Sequence, residues 1–337
     1  MAQRTNVPAP LRVPVLRLAR RLPVLIVTAL TIFSTAARAS FEELPTGARA
    51  AGMGDAFTAI ADDAYSMYYN PSGLAQLHRS EFTAYYAKLY SGLTDNSNIA
   101  RSYVAYAHPT ATHGTFGISY LSLSLADLYT ESSTGLSYAH SLGERWNLGG
   151  TMKLLHKSFG SDDYTQNAIN SDTGVSLGAQ DPLFAKNGTS KTGIGMDLGA
   201  QYRISKIYGI GMSALNINSP NMSLDSSDSD KVAPVFKLGL ARHTKMSAID
   251  AEIGMSKFTT DEEYRVNIGA ERWFNGGFGL RAGLGFGQRG YQMTSLGFSY
   301  RWQAIDLAYA LIYPLSGIQG TFGTNQLSLT FRFGRRQ

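Results

Sequence analysis

From Ser80 almost to the carboxyl end, apolar and polar residues alternate with a period of two. That period places one set of side chains on each face of a strand. About fourteen such stretches are readable: 80–91, 98–108, 113–125, 128–140, 145–158, 193–204, 207–218, 231–243, 247–259, 263–274, 277–288, 291–302, 304–314 and 324–333. In the last, Leu327, Leu329, Phe331 and Phe333 share one face and Ser328, Thr330 and Arg332 the other. Leu296, Phe298, Tyr300 and Trp302 oppose Ser295, Gly297, Ser299 and Arg301, and Ile249, Ala251, Ile253 and Met255 oppose Asp250, Glu252 and Gly254. Each stretch has the roughly ten residues that a tilted strand needs to cross a bilayer. Tyr86, Tyr90, Trp146, Trp273, Trp302 and Tyr313 fall near strand ends, at the depth where aromatic rings favour the headgroups. The two longest connections, 159–192 and 219–230, both follow odd-numbered strands, while those after even strands are short, and Asn275-Gly276 is a type I′ hairpin signal. Long loops therefore gather at one end and tight turns at the other, as in a closed barrel.

The stretch 47–77, GARAAGMGDAFTAIADDAYSMYYNPSGLAQL, has a different texture. Small residues dominate its first half, Met53, Phe57 and Ile60 punctuate it, and Asn70-Pro71 ends it, because the residue before proline is pushed out of the helical region. One or two short helices packed against other backbone are expected. A compact helical segment ahead of an all-β body predicts a plug inside a barrel. The fold class expected is all-β: a transmembrane antiparallel β-barrel of about fourteen strands with an N-terminal helical plug in the lumen.

This stretch resembles the amino-terminal signature of the PorV/PorQ group within the FadL-like superfamily of outer-membrane barrels. The likeness rests on about thirty residues: Gly52, Gly54, Asp55 and Ala56, then Asp62-Asp63-Ala64, then Asn70-Pro71-x-Gly73, with Ser72 where the transporters usually carry Ala. It implies that Asn70, Pro71 and Gly73 close the plug. It implies one of two functions. In the first, the barrel passes small hydrophobic molecules across the outer membrane, its partners being membrane lipid and a hydrophobic ligand. In the second, it is a PorV-like accessory of a type IX-type secretion system, binding secreted cargo or partner proteins at the cell surface.

Residues 1–39 read as a signal peptide: a basic region to Arg21, an apolar run from Leu22 to Phe33 too short to span a bilayer, and Ala37-Arg38-Ala39 as the cleavage pattern. The organisation expected is signal peptide 1–39, plug 40–79 and outer-membrane barrel 80–337, in a Gram-negative-type envelope. The formal net charge of +5 owes much to six arginines ahead of Ser40, so the remainder is close to neutral, which argues against a nucleic-acid partner. The sequence has no Cys, hence no disulfide framework or thiolate metal site. Charged residues make up 16%, well under the usual quarter.

On the polar faces, Asp197, Arg203, Lys237, Asp250, Glu252, Arg265, Asn267, Glu271, Arg281, Asp306 and Arg332 are lumen candidates. Their mixed signs suit an ion-pair network, either holding the plug carboxylates Asp55, Asp62 and Asp63 or pairing within the wall. Glycines at 193, 195, 283, 285 and 287 fit close approach of the plug better than a dinucleotide loop, since no helix follows them. The run Asp225–Asp230 matches no calcium-loop spacing and reads as a solvated loop. Val175, Leu177, Leu183 and Phe184 in the long loop either capture a ligand or pack the loop down. No cofactor, metal site or enzymatic activity is expected.

Overall fold

The computed structural model describes residues 40–93, 98–160, 167–170, 172–257, 262–318 and 320–334. Residues 1–39, and with them the expected signal peptide, lie outside that set.

The strands are β1 (Ser80–Lys88), β2 (Ile99–Pro109), β3 (Thr115–Leu125), β4 (Tyr129–Leu142), β5 (Trp146–Phe159), β6 (Asn167–Ile169), β7 (Ser176–Gln180), β8 (Ser190–Arg203), β9 (Tyr208–Leu215), β10 (Val235–His243), β11 (Ser247–Lys257), β12 (Glu262–Trp273), β13 (Phe278–Gly287), β14 (Gln292–Trp302), β15 (Ile305–Pro314) and β16 (Thr324–Phe333). All but β6 and β7 form one closed antiparallel barrel of fourteen strands, in which β1 also pairs with β16. Closure gives every strand two neighbours, so no edge is left for water or lipid to meet.

The faces follow the alternation. On β14, Leu296, Phe298, Tyr300 and Trp302 stand exposed on the outer wall, while Ser295 and Ser299 are buried inside. β13 repeats this, with Phe278, Leu280, Leu284 and Phe286 outside and Arg281 buried. An outer surface of this kind is stable only against hydrocarbon, so the barrel spans a membrane.

Three details differ from the sequence expectation. Trp273 does not belong to the outer aromatic band: it lies on the lumen side of β12, 4.1 Å from the Arg301 guanidinium carbon and 5.3 Å from that of Arg281. Residues 231–234 are not strand, because the chain before β10 folds over the lumen as part of a loop. The long connection holds the β6–β7 hairpin and helix α3 (Pro182–Asn187), whose Phe184 packs on Phe159 with ring centroids 5.5 Å apart. Val175, Leu177 and Leu183 remain exposed there.

Inside the barrel sits residue 40 to about 79. It contains α1 (Ala48–Gly52), α2 (Ser66–Tyr69) and a 3-10 turn, Pro71–Gln76. Helix α1 packs on β13 to β16, and the 3-10 turn on β4, β5 and β8. Met53, Phe57, Ile60, Tyr65, Tyr69 and Leu74 are fully or almost fully buried, so the protein's core is the plug rather than a layer between sheets.

Candidate functional site: the plugged lumen

The plug touches the wall through backbone. Inward-facing glycines stand opposite one another in register: Gly149 and Gly199, Gly211 and Gly239, Gly269 and Gly283. A side chain at Gly269 would overlap the Met53 carbonyl, and one at Gly211 the Thr58 carbonyl. Asn70 and Pro71 occupy the Gly149–Gly199 seat in the same way. These seats leave no room for the plug to slide along the wall.

Hydrogen bonds fix it further. The Asn70 amide donates to the Thr58 carbonyl (2.9 Å) and the Ala200 carbonyl (3.3 Å), and its oxygen accepts from the Ser72 hydroxyl (2.7 Å). Gly73 lies so close to the Ala61 carbonyl and Ser66 Oγ that no side chain fits, and Gly52 faces Gly297. Gly54 and Asp55 both take positive φ, and the Asp55 carboxylate accepts from the Tyr69 hydroxyl at 2.5 Å.

The charged residues divide between the two expected roles. Glu252 accepts from the Thr58 amide (2.9 Å) and Asp250 from the Ala59 amide (3.2 Å), so both hold the plug backbone. Lys237 pairs with Glu43 and, at 3.3 Å, with Glu252. Arg265 joins Glu42 (2.9 Å) to Glu263 (3.2 Å). Among the described residues the plug carboxylates Asp62 and Asp63 make no ion pair with the wall. They pair with the plug's own Arg49, which also binds Glu271 at 3.0 Å, and Glu271 binds Arg281 at 2.7 Å. Asp306 pairs within the wall with Arg301 (2.8 Å) and Arg332 (3.2 Å). Arg332 binds Glu81 at 2.6 Å, and Glu81 accepts from the Ala64 amide. Asp197 is a wall residue as well, pairing with Lys153 at 2.8 Å and accepting from the Asn216 amide. Arg203 is exposed at the tight-turn end, and Asn267 is buried with its Oδ1 unpartnered. Arg49, Glu42, Glu43, Glu81 and Lys153 were not singled out from the sequence. Each lies at a position where the period-2 pattern is absent or where a single charge has several available partners.

Towards the long loops the lumen opens into two cavities. One, of about 790 Å³ including space open to solvent, is lined by Phe41, Tyr68, Tyr103, Leu121, Leu123 and Leu155, with Glu131 and the Lys153–Asp197 pair at its margin. The other, of about 590 Å³, is lined by Leu44, Leu89, Tyr90, Met293 and Ile312. Arg101 borders both. Its guanidinium donates to the Leu44 carbonyl (2.8 Å) and the Tyr68 hydroxyl (3.1 Å), its Nε is unpartnered, and among the described residues no carboxylate pairs with it.

A lid covers the first cavity. Met222 and Val232, from the connection between β9 and β10, are fully buried against Leu155, with Phe41 packed beside them. Asp230 ties this connection down: it accepts from the Ser40 hydroxyl (2.7 Å) and backbone amide (3.3 Å) and pairs with Lys157. Burial opposes the charge on Asp230, yet the Lys157 ammonium and the Ser40 donors hold its carboxyl below the usual aspartate range.

Together these features define a class: a membrane-spanning, antiparallel barrel of fourteen strands closed by an N-terminal plug and open to apolar cavities on one side. Solved structures share the fold. The P. putida toluene transporter TodX is 12% identical, with 86% of this chain and 99% of that one covered at a TM-score of 0.65. The CymD monoaromatic hydrocarbon channel is 14% identical, covering 86% and 98% at 0.64. A Pseudomonas aeruginosa FadL homologue is 12% identical, covering 86% and 98% at 0.57. At such identities the likeness is one of fold, here the FadL-like fold, and PorV/PorQ has no counterpart among these structures. Residues 119–274, under half of the chain, match the model of a family described as F plasmid transfer operon, TraF, protein. No curated protein matches the chain in sequence.

Proposed function

We propose that the protein is an outer-membrane channel for small hydrophobic molecules, in an envelope of the Gram-negative type. The observation that carries this reading is the apolar cavity bordered by Phe41, Tyr68, Tyr103, Leu121, Leu123 and Leu155, which lies between the seated plug and the lid formed by the β9–β10 connection. Concave, largely apolar lumen space with a few polar groups at its margin is where a small hydrophobic ligand gains most from leaving water. The fold shared with the toluene transporter TodX and the monoaromatic hydrocarbon channel CymD supports the same class of ligand. The division into a signal peptide at 1–39, a plug at 40–79 and a barrel at 80–337 belongs to this proposal. So do the roles of Gly52, Gly54, Asn70 and Pro71 in seating the plug on the wall, of Asp55, Asp62, Asp63 and Gly73 in holding the plug's own shape, and the network roles of the wall charges. A secretion role of the PorV kind finds no support in the comparisons, and the protein is not proposed to be an enzyme.

The test is uptake. Cells expressing the protein should accumulate a radiolabelled monoaromatic hydrocarbon severalfold faster than cells carrying an empty vector. Equal rates, with the folded barrel present in the outer membrane, would defeat the proposal.

A further inference from the structure

The tight-turn end of the lumen carries a hollow that the proposed passage of hydrophobic molecules does not use. It encloses about 840 Å³, partly open to solvent, beneath the plug residues Ala59 and Gln76. Arg145, Arg203, Lys206 and His243 line it, with Asn147 and Gln201, and no carboxylate does. Arg145, Arg203 and His243 fall at odd positions, the inward-facing set of β5, β8 and β10 and their extensions, with Lys206 added from the β8–β9 turn. Arg203, Lys206 and His243 thus gather at the lumen mouth, while the Arg145 guanidinium turns to the Tyr202 hydroxyl, whose ring packs on Trp146 at the outer wall with centroids 4.7 Å apart.

The arrangement works against stability. Arg145 and Arg203 are neighbours across the end of the β5–β8 ladder, where the Arg203 amide donates to the Arg145 carbonyl at 2.8 Å. Like charges directly opposite on paired strands repel. Among the described residues neither makes an ion pair; Arg145 has only a 3.3 Å bond to the Tyr202 hydroxyl. Elsewhere in this lumen arginines such as Arg49, Arg281 and Arg332 have carboxylates within 3.0 Å. The imbalance extends around the rim. The turns at 110–114, 143–145, 204–207, 244–246, 274–277 and 303–304 contain one acidic residue, Glu144, whereas Lys245 and Arg79 add further positive charge on this side. At the opposite end, the connections include Asp127, Asp172, Asp181, Asp225 and Asp228.

We propose that this basic mouth docks an acidic segment of a partner protein on the side of the tight turns, the periplasmic side if the outer-membrane reading above holds. Carboxylates would take paired, charge-assisted hydrogen bonds from Arg145 and Arg203, and the surrounding field would speed encounter at low salt. The extent of the charge favours a polypeptide over a lipid headgroup or a small anion: Arg203, Lys206 and His243 line the hollow, and Lys245 and Arg79 carry the positive charge on around the rim.

The full-length protein in phosphatidylcholine nanodiscs, titrated with a fluorescein-labelled deca-glutamate peptide and followed by anisotropy, tests this. Binding should weaken at least about tenfold on raising salt from about 50 to about 500 mM, as screening requires. An Arg145→Ser/Arg203→Ser double variant should lose about tenfold or more at low salt. Arg145→Lys/Arg203→Lys should stay within about threefold of native, since lysine keeps the charge though not the planar fork. Lys186→Ser/Lys191→Ser, at the far end, should bind as native. Heat-modified gel mobility confirms that every variant is folded. Native-strength binding by the double serine variant overturns the proposal. So does displacement of the peptide by millimolar inorganic phosphate or by phosphatidylglycerol in the nanodisc. Because the chain has no Cys, a Lys206→Cys variant reports sidedness alone: labelling by a membrane-impermeant maleimide in intact cells would place this mouth outside and overturn it. Hydrocarbon uptake is measured independently, so each proposal can fail without the other.

Discussion

Gly269 on β12 faces Gly283 on β13, and the Met53–Gly54 peptide of the plug rests on both. A side chain at either position would meet plug backbone, which cannot rotate aside as a flexible side chain does. The pair is thus a seat that holds the plug as closely as two β-carbons would otherwise hold two strands.

Replacing Gly283 with valine should displace the plug locally. Overpacking of this kind costs about 1–3 kcal/mol. The expected result is a lower midpoint for heat-induced mobility change on gels and more frequent brief openings in planar bilayers. A native midpoint together with native conductance would mean that the contact is slack.

Deleting residues 47–77 should leave a barrel that still closes, because the ladders run strand to strand without the plug. Single-channel conductance should then rise manyfold, since Met53, Phe57, Ile60, Tyr65 and Tyr69 no longer fill the lumen. Unchanged conductance in planar bilayers would show that the plug does not block the pore.

Arg49 pairs with Asp62, Asp63 and Glu271. Removing one partner of a buried pair leaves uncompensated charge and costs about 3–5 kcal/mol. Arg49→Met should therefore lower stability more than Lys157→Met, which breaks a pair whose carboxylate is partly exposed. Urea unfolding of the two variants side by side reads the difference.

The lid should loosen in acid. The Asp230 carboxyl titrates lower in the folded protein than in an unfolded chain, so its contribution is fully present above about pH 4 and fades as pH falls through its folded value. Hydrogen exchange of the amides at 219–232, corrected for intrinsic rates, should be faster at pH 3 than at pH 7. Asp230→Asn should exchange fast at both. Equal protection of the native lid at the two values would assign the closure to Met222 and Val232 instead.

Leu121→Trp adds bulk to the cavity beneath that lid. Hydrocarbon uptake should fall severalfold while the heat-modified mobility of the barrel stays native. Undiminished uptake would place the route elsewhere in the lumen.

Strand number and faces were legible because each follows from local alternation: Leu296 and Phe298 had to share a side opposite Ser295 and Ser299, and they do. The plug was legible from its small residues and Asn70-Pro71. Trp273 was misplaced because an aromatic ring at a strand end suits either a headgroup or a stacked arginine, and only the partners across the lumen decide. Arg49 escaped notice for a similar reason: the three carboxylates within bonding distance of it come from sequence positions up to 222 residues away.

By itself, the order of residues determined that this chain forms membrane-crossing strands with one oily and one polar face, preceded by a compact segment able to lie against backbone. Those properties depend on neighbours two to four positions apart. Which glycines face each other, which carboxylate Arg49 holds, and where Arg145 and Arg203 are left without one were decided by closure of the barrel. Register and curvature bring distant side chains within a few ångströms, and pairing energies fall off over that same distance.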